Sequence, residues 1–432
     1  MPGTSATSRL PVTRLYPLTV LFAADGVLFA SWVVRVPEIK EQVGASATAL
    51  GLALLCMTFS TAVSMYVGGR LCVHLGTRAL IVATFPLACG GLILPALARS
   101  PVHLGAVLLA FGAIYGVLVV ALNSAAVEVE RATGRAIMSA LHGLWSLGGL
   151  VGAIAGGLLA NRLDTLGHLG VVAAGGLLVV AVTGRRMLRS AAADPNREAT
   201  TAHAAGAVPA LGAAEPAPVS TGTGRPAAQR AGLRTVVILF GIVALCTAYG
   251  EGAVGDWAAL HLRDTLATPA GIAAYGFGAY SVAIAVGRLT GGWLIAWFGE
   301  AQVLIGGAVL AAAGILATAW AGGLAVAFGG LVMVGLGLAN VYPIAMARAG
   351  AIGGSRGVGL ASTIGNVGML GGPPVIGFLA DQIGLPGALS TVAVLAMVAA
   401  GLGFGLRTHA TDPRARRTHG SSPDQPDMAT LS

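Results

Sequence analysis

Apolar residues along the chain fall in long runs broken by short polar pieces, without the strict alternation of a half-buried strand. About 20 mostly apolar residues are needed to carry a helix across the hydrocarbon of a bilayer. The pattern predicts twelve such spans, at about 15–36, 46–68, 79–98, 102–127, 136–160, 166–183, 235–257, 271–296, 302–320, 323–346, 358–380 and 386–406. The longer polar pieces are 1–14, 184–231 and 407–432. The middle piece, above all Ala202–Ala231, is rich in Ala, Pro, Thr and Gly and holds almost no large apolar side chain, so it is expected to be a flexible linker. Two six-helix halves follow, 15–183 and 232–406, with a disordered tail from 407. The first run is long enough to stay as an anchor rather than be cleaved.

Composition narrows the class. The chain is 56% hydrophobic and only 10% charged, against roughly 25% charged in an ordinary soluble protein, and its mean hydropathy is +0.82. This excludes a soluble enzyme, a nucleic-acid module and a disordered scaffold. Its 65 glycines are about twice the usual ~7% share, and small residues let helices approach closely in lipid. The net charge of +8 does not build a nucleic-acid surface, because the cations are scattered in short segments between apolar runs. Placing the N-terminus inside puts 19 of them on inner segments and 5 on outer loops, Arg35 and Lys40 among the latter. The positive-inside rule then sets both termini in the cytoplasm. Cys56, Cys72, Cys89 and Cys246 form no CxxC pair and read as small core residues.

The halves echo each other. Phe111-Gly112 followed by Asn123 recurs as Phe328-Gly329 followed by Asn340, at an offset of 217. Ser139, Gly148, Gly152, Ala153, Gly156 and Gly157 align with Gly359, Gly368, Gly372, Pro373, Ile376 and Gly377 at an offset of 220. A Gly-x-Leu step closes spans 2, 5, 8 and 11. Three helices reverse the direction of crossing, so these steps describe inverted repeats nested in a parallel pair of halves. That is the architecture of alternating-access carriers with a site near the midplane.

These features resemble the major facilitator superfamily over residues 15–406. The family's loop after span 2 reads like G-x-L-a-D-R-x-G-R-R. Here Gly69, Leu71, Gly76 and Arg78 match, while Val73 and His74 replace the acidic and the next basic residue. The acidic latch on the cytoplasmic side, which the resemblance implies, is therefore in doubt. The span-5 glycines resemble the pattern of proton-coupled exporters, with Ser139 for the first glycine and Ala153 for the proline; generic small-residue packing explains them better. The segment from Trp32 through Lys40, with Leu50–Leu55, is similar to a bacterial inner-membrane branch grouped with rhizopine-uptake and fucose-permease-like carriers. This branch implies a small polar organic solute.

An ionisable group deep in a span is costly and usually functional. Asp25 lies ten residues into span 1, about 15 Å along the helix and near the midplane. It is the first candidate for proton coupling, because a carboxyl drawn into low dielectric is more readily protonated. Glu251 in span 7, one position after the counterpart of Asp25, is the second. Asp256 is expected at a solvated outer end. Arg288, read as the only cation well inside a helix, either meets an anionic group or snorkels. His142 and Trp145 share a face of span 5 and are cavity candidates together with Asn123, Asn340 and Asn366, each of which equally suits tying helices. Trp32 and Trp257 are expected in the outer aromatic belt. The packing and gating candidates are Gly69, Gly76, Arg78, Gly148, Gly152, Gly156, Gly368, Gly372 and Pro373. Their stripes are expected on close interfaces that shift with the state of the carrier.

Gly353–Gly357 matches G-x-S-x-G but lies between two spans, where no strand–turn–helix elbow forms. No enzyme is expected, and no cofactor or metal. The sequence thus describes an all-α, twelve-helix secondary transporter of the cell inner membrane. It is expected to be a monomer that binds a small molecule and protons and sits in the lipid bilayer, with no nucleic-acid partner. A proton-antiport exporter and, remotely, a membrane-embedded enzyme are the alternatives.

Overall fold

A computed structural model describes residues 15–133, 137–160, 162–192 and 227–407. The N-terminus 1–14, most of the expected linker and the tail beyond 407 lie outside the described residues. Those described form helices α1 Leu15–Gln42, α2 Ala47–Leu75, α3 Thr77–Ile93, α4 Pro101–Thr133, α5 Met138–Leu159, α6 Thr165–Ala192, α7 Ala227–Asp264, α8 Ala270–Phe298, α9 Glu300–Ala319, α10 Leu324–Leu338 and α11 Val341–Arg407. Among these residues there is no strand, as lipid requires of any segment that must satisfy its backbone internally.

Among the described residues, eleven helices are long and apolar enough to cross a membrane, the last two being Leu324–Gly353 and Gly357–Arg407. The last has 51 residues, about 76 Å if straight against ~30 Å of hydrocarbon. It is not straight. Gly384 has φ +78°, a left-handed conformation that glycine adopts freely, and Pro386 follows. Tyr249 of α7 touches both sides of this break. Its hydroxyl pairs with Thr391 at 2.9 Å, and a methyl group at Gly372 would lie 3.6 Å from its ring. Residues nineteen apart on a straight helix would be about 28 Å apart. The chain therefore doubles back at Gly384, and this segment holds both of the last two predicted spans. A second reversal precedes it, where Gly357 packs on the carbonyl of Ala349.

Several helices run beyond their predicted ends. Apolar runs stop at the hydrocarbon edge, but helical hydrogen bonding continues into polar residues. The extension of α1 to Gln42 carries Arg35 and Lys40 out of the expected outer loop. Arg35 is 2% exposed. It donates from Nε to His168 Nδ1 at 2.9 Å and from Nη2 to the Leu163 carbonyl at 3.1 Å. Arg288 is thus not the only cation deep in a helix. Trp32 and Trp257 are also fully buried rather than placed in an interfacial belt; their rings fill the packing between helices.

The repeat is visible in the packing. Gly76 and Gly299 end α2 and α8 with φ +84° and +82°, in corresponding places. Gly148 of α5 packs on the Ala23 carbonyl of α1, and its counterpart Gly368 packs on the Leu245 carbonyl of α7. A methyl group at Gly152 would lie 2.8 Å from the Val27 carbonyl, and one at Gly156 would lie 2.9 Å from Val34. The stripes therefore bind α5 to α1 and α11 to α7 within each half. Contact between halves falls to the neighbouring face. Gly157 meets Gly271 and Tyr275 of α8, while Gly377 and Pro373 meet Ala47 and Gly51 of α2.

Candidate substrate cavity and coupling carboxylates

The contacts that join the halves gather at one end of the bundle. Lys40 pairs with Asp264 at 2.9 Å, and Arg263 with Glu38 at 3.1 Å and Glu41 at 2.8 Å. Asp381 accepts the amides of Ala47 and Thr48 at 3.0 and 2.8 Å, a carboxylate at the positive end of α2. About three to four turns below this end lie the buried polar groups.

One face of α1 carries Phe22, Asp25 and Phe29 at helical spacing. Asp25 is 3% exposed. Its Oδ2 accepts from Trp145 Nε1 of α5 at 2.9 Å and from the Tyr115 hydroxyl of α4 at 3.4 Å. Its Oδ1 is buried without a partner among the described residues. Phe29 packs on Tyr115 and Trp145, with centroids at 6.5 and 5.5 Å, and reaches Phe277 of the other half at 6.3 Å. Phe22 meets the edge of His142 at 5.8 Å. His142 Nε2 lies 3.2 Å from Asn123 Oδ1, and Asn123 Nδ2 donates to the Val119 carbonyl. Trp145 and His142 thus share a side of α5, as their spacing suggests, and Asp25 joins them.

In the other half Arg288 Nη2 of α8 reaches both oxygens of Glu251 at 3.2 Å. The arginine neutralises the carboxylate. Tyr280 sits within electrostatic reach of this pair and packs on Phe277 at 6.3 Å. Asn340 is tied away, donating to the Gly287 carbonyl at 2.8 Å, where it holds the start of α11 to α8. Asn366 is exposed on α11 and lies seven residues before Pro373, on the face that meets the opposite half higher up.

The loop after α2 is anchored from elsewhere. Glu128 of α4 accepts from Thr77 at 2.5 Å, and Glu130 accepts the amides of Ile137 and Met138 at 2.6 and 2.8 Å, capping α5. A carboxylate from α4, Glu128, thus holds Thr77 just after the motif, whose own acidic position is Val73. Gly76 turns the chain there. Gly69 and Arg78 are both half-buried, and Arg78 interacts with a neighbouring group. In the second half Glu300, just after Gly299, pairs with Arg348. Sequence reasoning missed Tyr115, Phe29, Phe277, Glu128 and the Arg35–His168 pair. Phe29 could have been found, since it lies one turn from Asp25.

Membrane-length helices in two packed groups, joined by ionic and glycine contacts at one end, define a helical membrane protein. The chain belongs to the Major Facilitator Superfamily, whose sequence profile it matches over residues 18–352 and 240–427. It is a transporter and not an enzyme. It is 31% identical over 384 residues to an uncharacterized MFS-type transporter of Yersinia pestis, covering 88% of this chain and 92% of that one. It is 26% identical over 386 residues to the membrane protein MosC of Rhizobium meliloti, covering 88% and 86%. Among solved structures it is similar to a bacterial homolog of the human lysosomal transporter Spinster, at TM-score 0.69 and 15% identity over 96% of this chain and 100% of that one. It is also similar to the nucleoside transporter NupG, at TM-score 0.65 and 14% identity over 93% and 99%. These two likenesses show the fold.

Proposed function

We propose that the protein moves a small organic solute across the bacterial inner membrane by alternating access, coupled to protons at Asp25. One observation carries this reading. Asp25 is buried near the middle of α1 and is held by two neutral donors, Trp145 and Tyr115, with one oxygen unpartnered. A carboxylate in low dielectric without a cation readily exchanges a proton. The solute would bind between this cluster and the Glu251–Arg288 pair, against Phe29, Phe277 and Tyr280. The arginine distribution supports cytoplasmic termini, so the closed end faces outward and the cavity opens inward. Gly157, Pro373 and Gly377, at the contacts between halves, would then be where the surfaces separate.

The test is transport in sealed vesicles with a panel of sugars, polyols and cationic drugs, with and without a proton gradient. One solute is expected to accumulate only while the gradient lasts and to leak out when a protonophore is added. Accumulation that survives the protonophore would overturn proton coupling and leave the fold assignment standing.

A further inference from the structure

The buried or half-buried carboxylates named so far all have partners. Asp25 has Trp145 and Tyr115, Glu251 has Arg288, Glu128 has Thr77 and Glu300 has Arg348. Asp256 of α7 differs. Among the described residues, no hydrogen bond or ion pair reaches it and no charged side chain acts on it.

Its position is defined by the helix around it. From Ala248 to Leu262, α7 is buried except at Glu251, Gly252 and Asp256. Gly252 and Asp256 are one turn apart on one face, and a methyl group at Gly252 would meet nothing within 4 Å. Seven residues beyond Asp256, two turns along the same face, Arg263 pairs with Glu38 of the other half at 3.1 Å. The face bearing Asp256 is therefore turned to the space between the halves, about 10 Å below the ionic contacts that close it. The same construction on α1 places Ser31 seven residues before Glu38. Ser31 is 0% exposed, and its hydroxyl has no partner among the described residues.

The surrounding titratable groups are otherwise engaged. On α8, Arg288 serves Glu251, and Tyr280 lies beside that pair. On α1, Asp25 and Glu38 lie about two turns from Ser31 on either side. On α11, the Thr391 hydroxyl is taken by Tyr249. A carboxylate within a membrane span that has no cation beside it is stabilised by losing its charge.

We propose that Asp256 is a second proton-binding site, which loads from and discharges to water in the cavity between the halves. A hydronium ion in that water gives its proton to a carboxylate oxygen; an O–H bond forms, water is left and the site goes from −1 to neutral. Release reverses each step. The proposal rests on the proton-coupled reading above and extends it to one exchanging carboxyl in each half.

The test is labelling of the full-length protein in proteoliposomes with dicyclohexylcarbodiimide, which attacks protonated carboxyls in apolar surroundings, followed by peptide mass spectrometry. Labelling is expected at Asp25 and Asp256 and not at Glu251. It should rise several-fold from alkaline to mildly acidic buffer and be unchanged when sodium replaces potassium. Asp256→Asn should remove the second label and keep the first. A label at Asp25 alone would overturn the second site and leave the coupling reading intact. A label at Asp256 alone would do the reverse, and no label at either would overturn both. Protection of Asp256 by sodium would overturn the proton and make it a metal-cation site.

Discussion

Corresponding places in the two halves hold a carboxylate in opposite ways. Asp25 on α1 rests on neutral donors, an indole and a phenol, and one of its oxygens is left without a partner. Glu251 on α7, one position beyond the counterpart of Asp25, has both oxygens on the guanidinium of Arg288. Neutral donors hold a charge less firmly than a cation does. The first arrangement suits a group that gains and loses a proton, and the second a group that keeps its charge while the surrounding helices move. A shared repeat thus carries different chemistry in each half, a carboxyl on neutral donors in one and an ion pair in the other.

The widest gap between the halves is expected when each carboxyl is neutralised in turn. Asp25→Asn keeps the shape of the side chain but has no exchangeable acid. In sealed vesicles it is expected to abolish gradient-driven accumulation while counterflow of solute continues. Glu251→Gln should instead weaken solute binding several-fold and keep the dependence on the gradient. If both variants lose accumulation and keep counterflow, the distinction between the halves fails.

Arg288→Ala sharpens the same contrast. Removing one partner of a fully buried pair costs roughly 3–5 kcal/mol, and surface pairs are worth ~0–1. Arg288 is 39% exposed and Glu251 23%, so a cost of about 1–2 kcal/mol is expected between these limits. The single variant should unfold at lower temperature in detergent, and Arg288→Ala combined with Glu251→Gln should recover most of the loss. Absence of recovery would show that Arg288 serves something other than Glu251.

How far the sequence carried the reading depends on what each residue needed. The all-helical membrane fold was legible because the period of apolar runs is set by bilayer thickness. Asp25 was legible because a lone acid in such a run is rare. Its partners were not: Trp145 and Tyr115 come from α5 and α4, and nothing local says which helix faces which. Arg35 and Lys40 were read as loop residues because hydropathy marks the edge of the hydrocarbon and not the end of the helix. Trp32 and Trp257 were placed in a belt because interfacial and buried tryptophans look alike in one dimension. The glycine stripes were visible as stripes, but spacing could not tell whether they faced their own half or the other.

The stripes also break the symmetry quantitatively. A methyl group at Gly152 would sit 2.8 Å from the Val27 carbonyl, whereas its counterpart at Gly372 would sit at an ordinary 3.6 Å from the Tyr249 ring. Gly152→Ala should therefore destabilise by about 1–3 kcal/mol through overpacking. Gly372→Ala should be neutral or stabilising by up to about 1 kcal/mol, since alanine favours the helix. Thermal unfolding midpoints compare the two directly. Equal shifts would mean that α5 and α11 pack alike after all.

The smallest effect is expected where the halves meet. Lys40 is 21% exposed and Asp264 36%, so their pair is screened and worth about 0–1 kcal/mol. Lys40→Glu would set like charges together and weaken the closed end by a similar amount. Such a change leaves the fold intact but moves an equilibrium between states separated by a few kcal/mol. At the upper limit it corresponds to a roughly fivefold gain in the population open at that end. A cysteine placed at the exposed Gly322, where a side chain would meet nothing within 4 Å, reports only local exposure and serves as the control. A cysteine at Ser31, beneath the ionic contacts, reports opening. Lys40→Glu should speed thiol labelling at position 31 by about twofold to fivefold and leave position 322 unchanged, and Asp264→Lys added to it should restore the slow rate. If position 31 labels at the same rate in all three, the ionic contacts at this end do not hold the halves together, and closure belongs to the glycine contacts at Gly157 and Gly377.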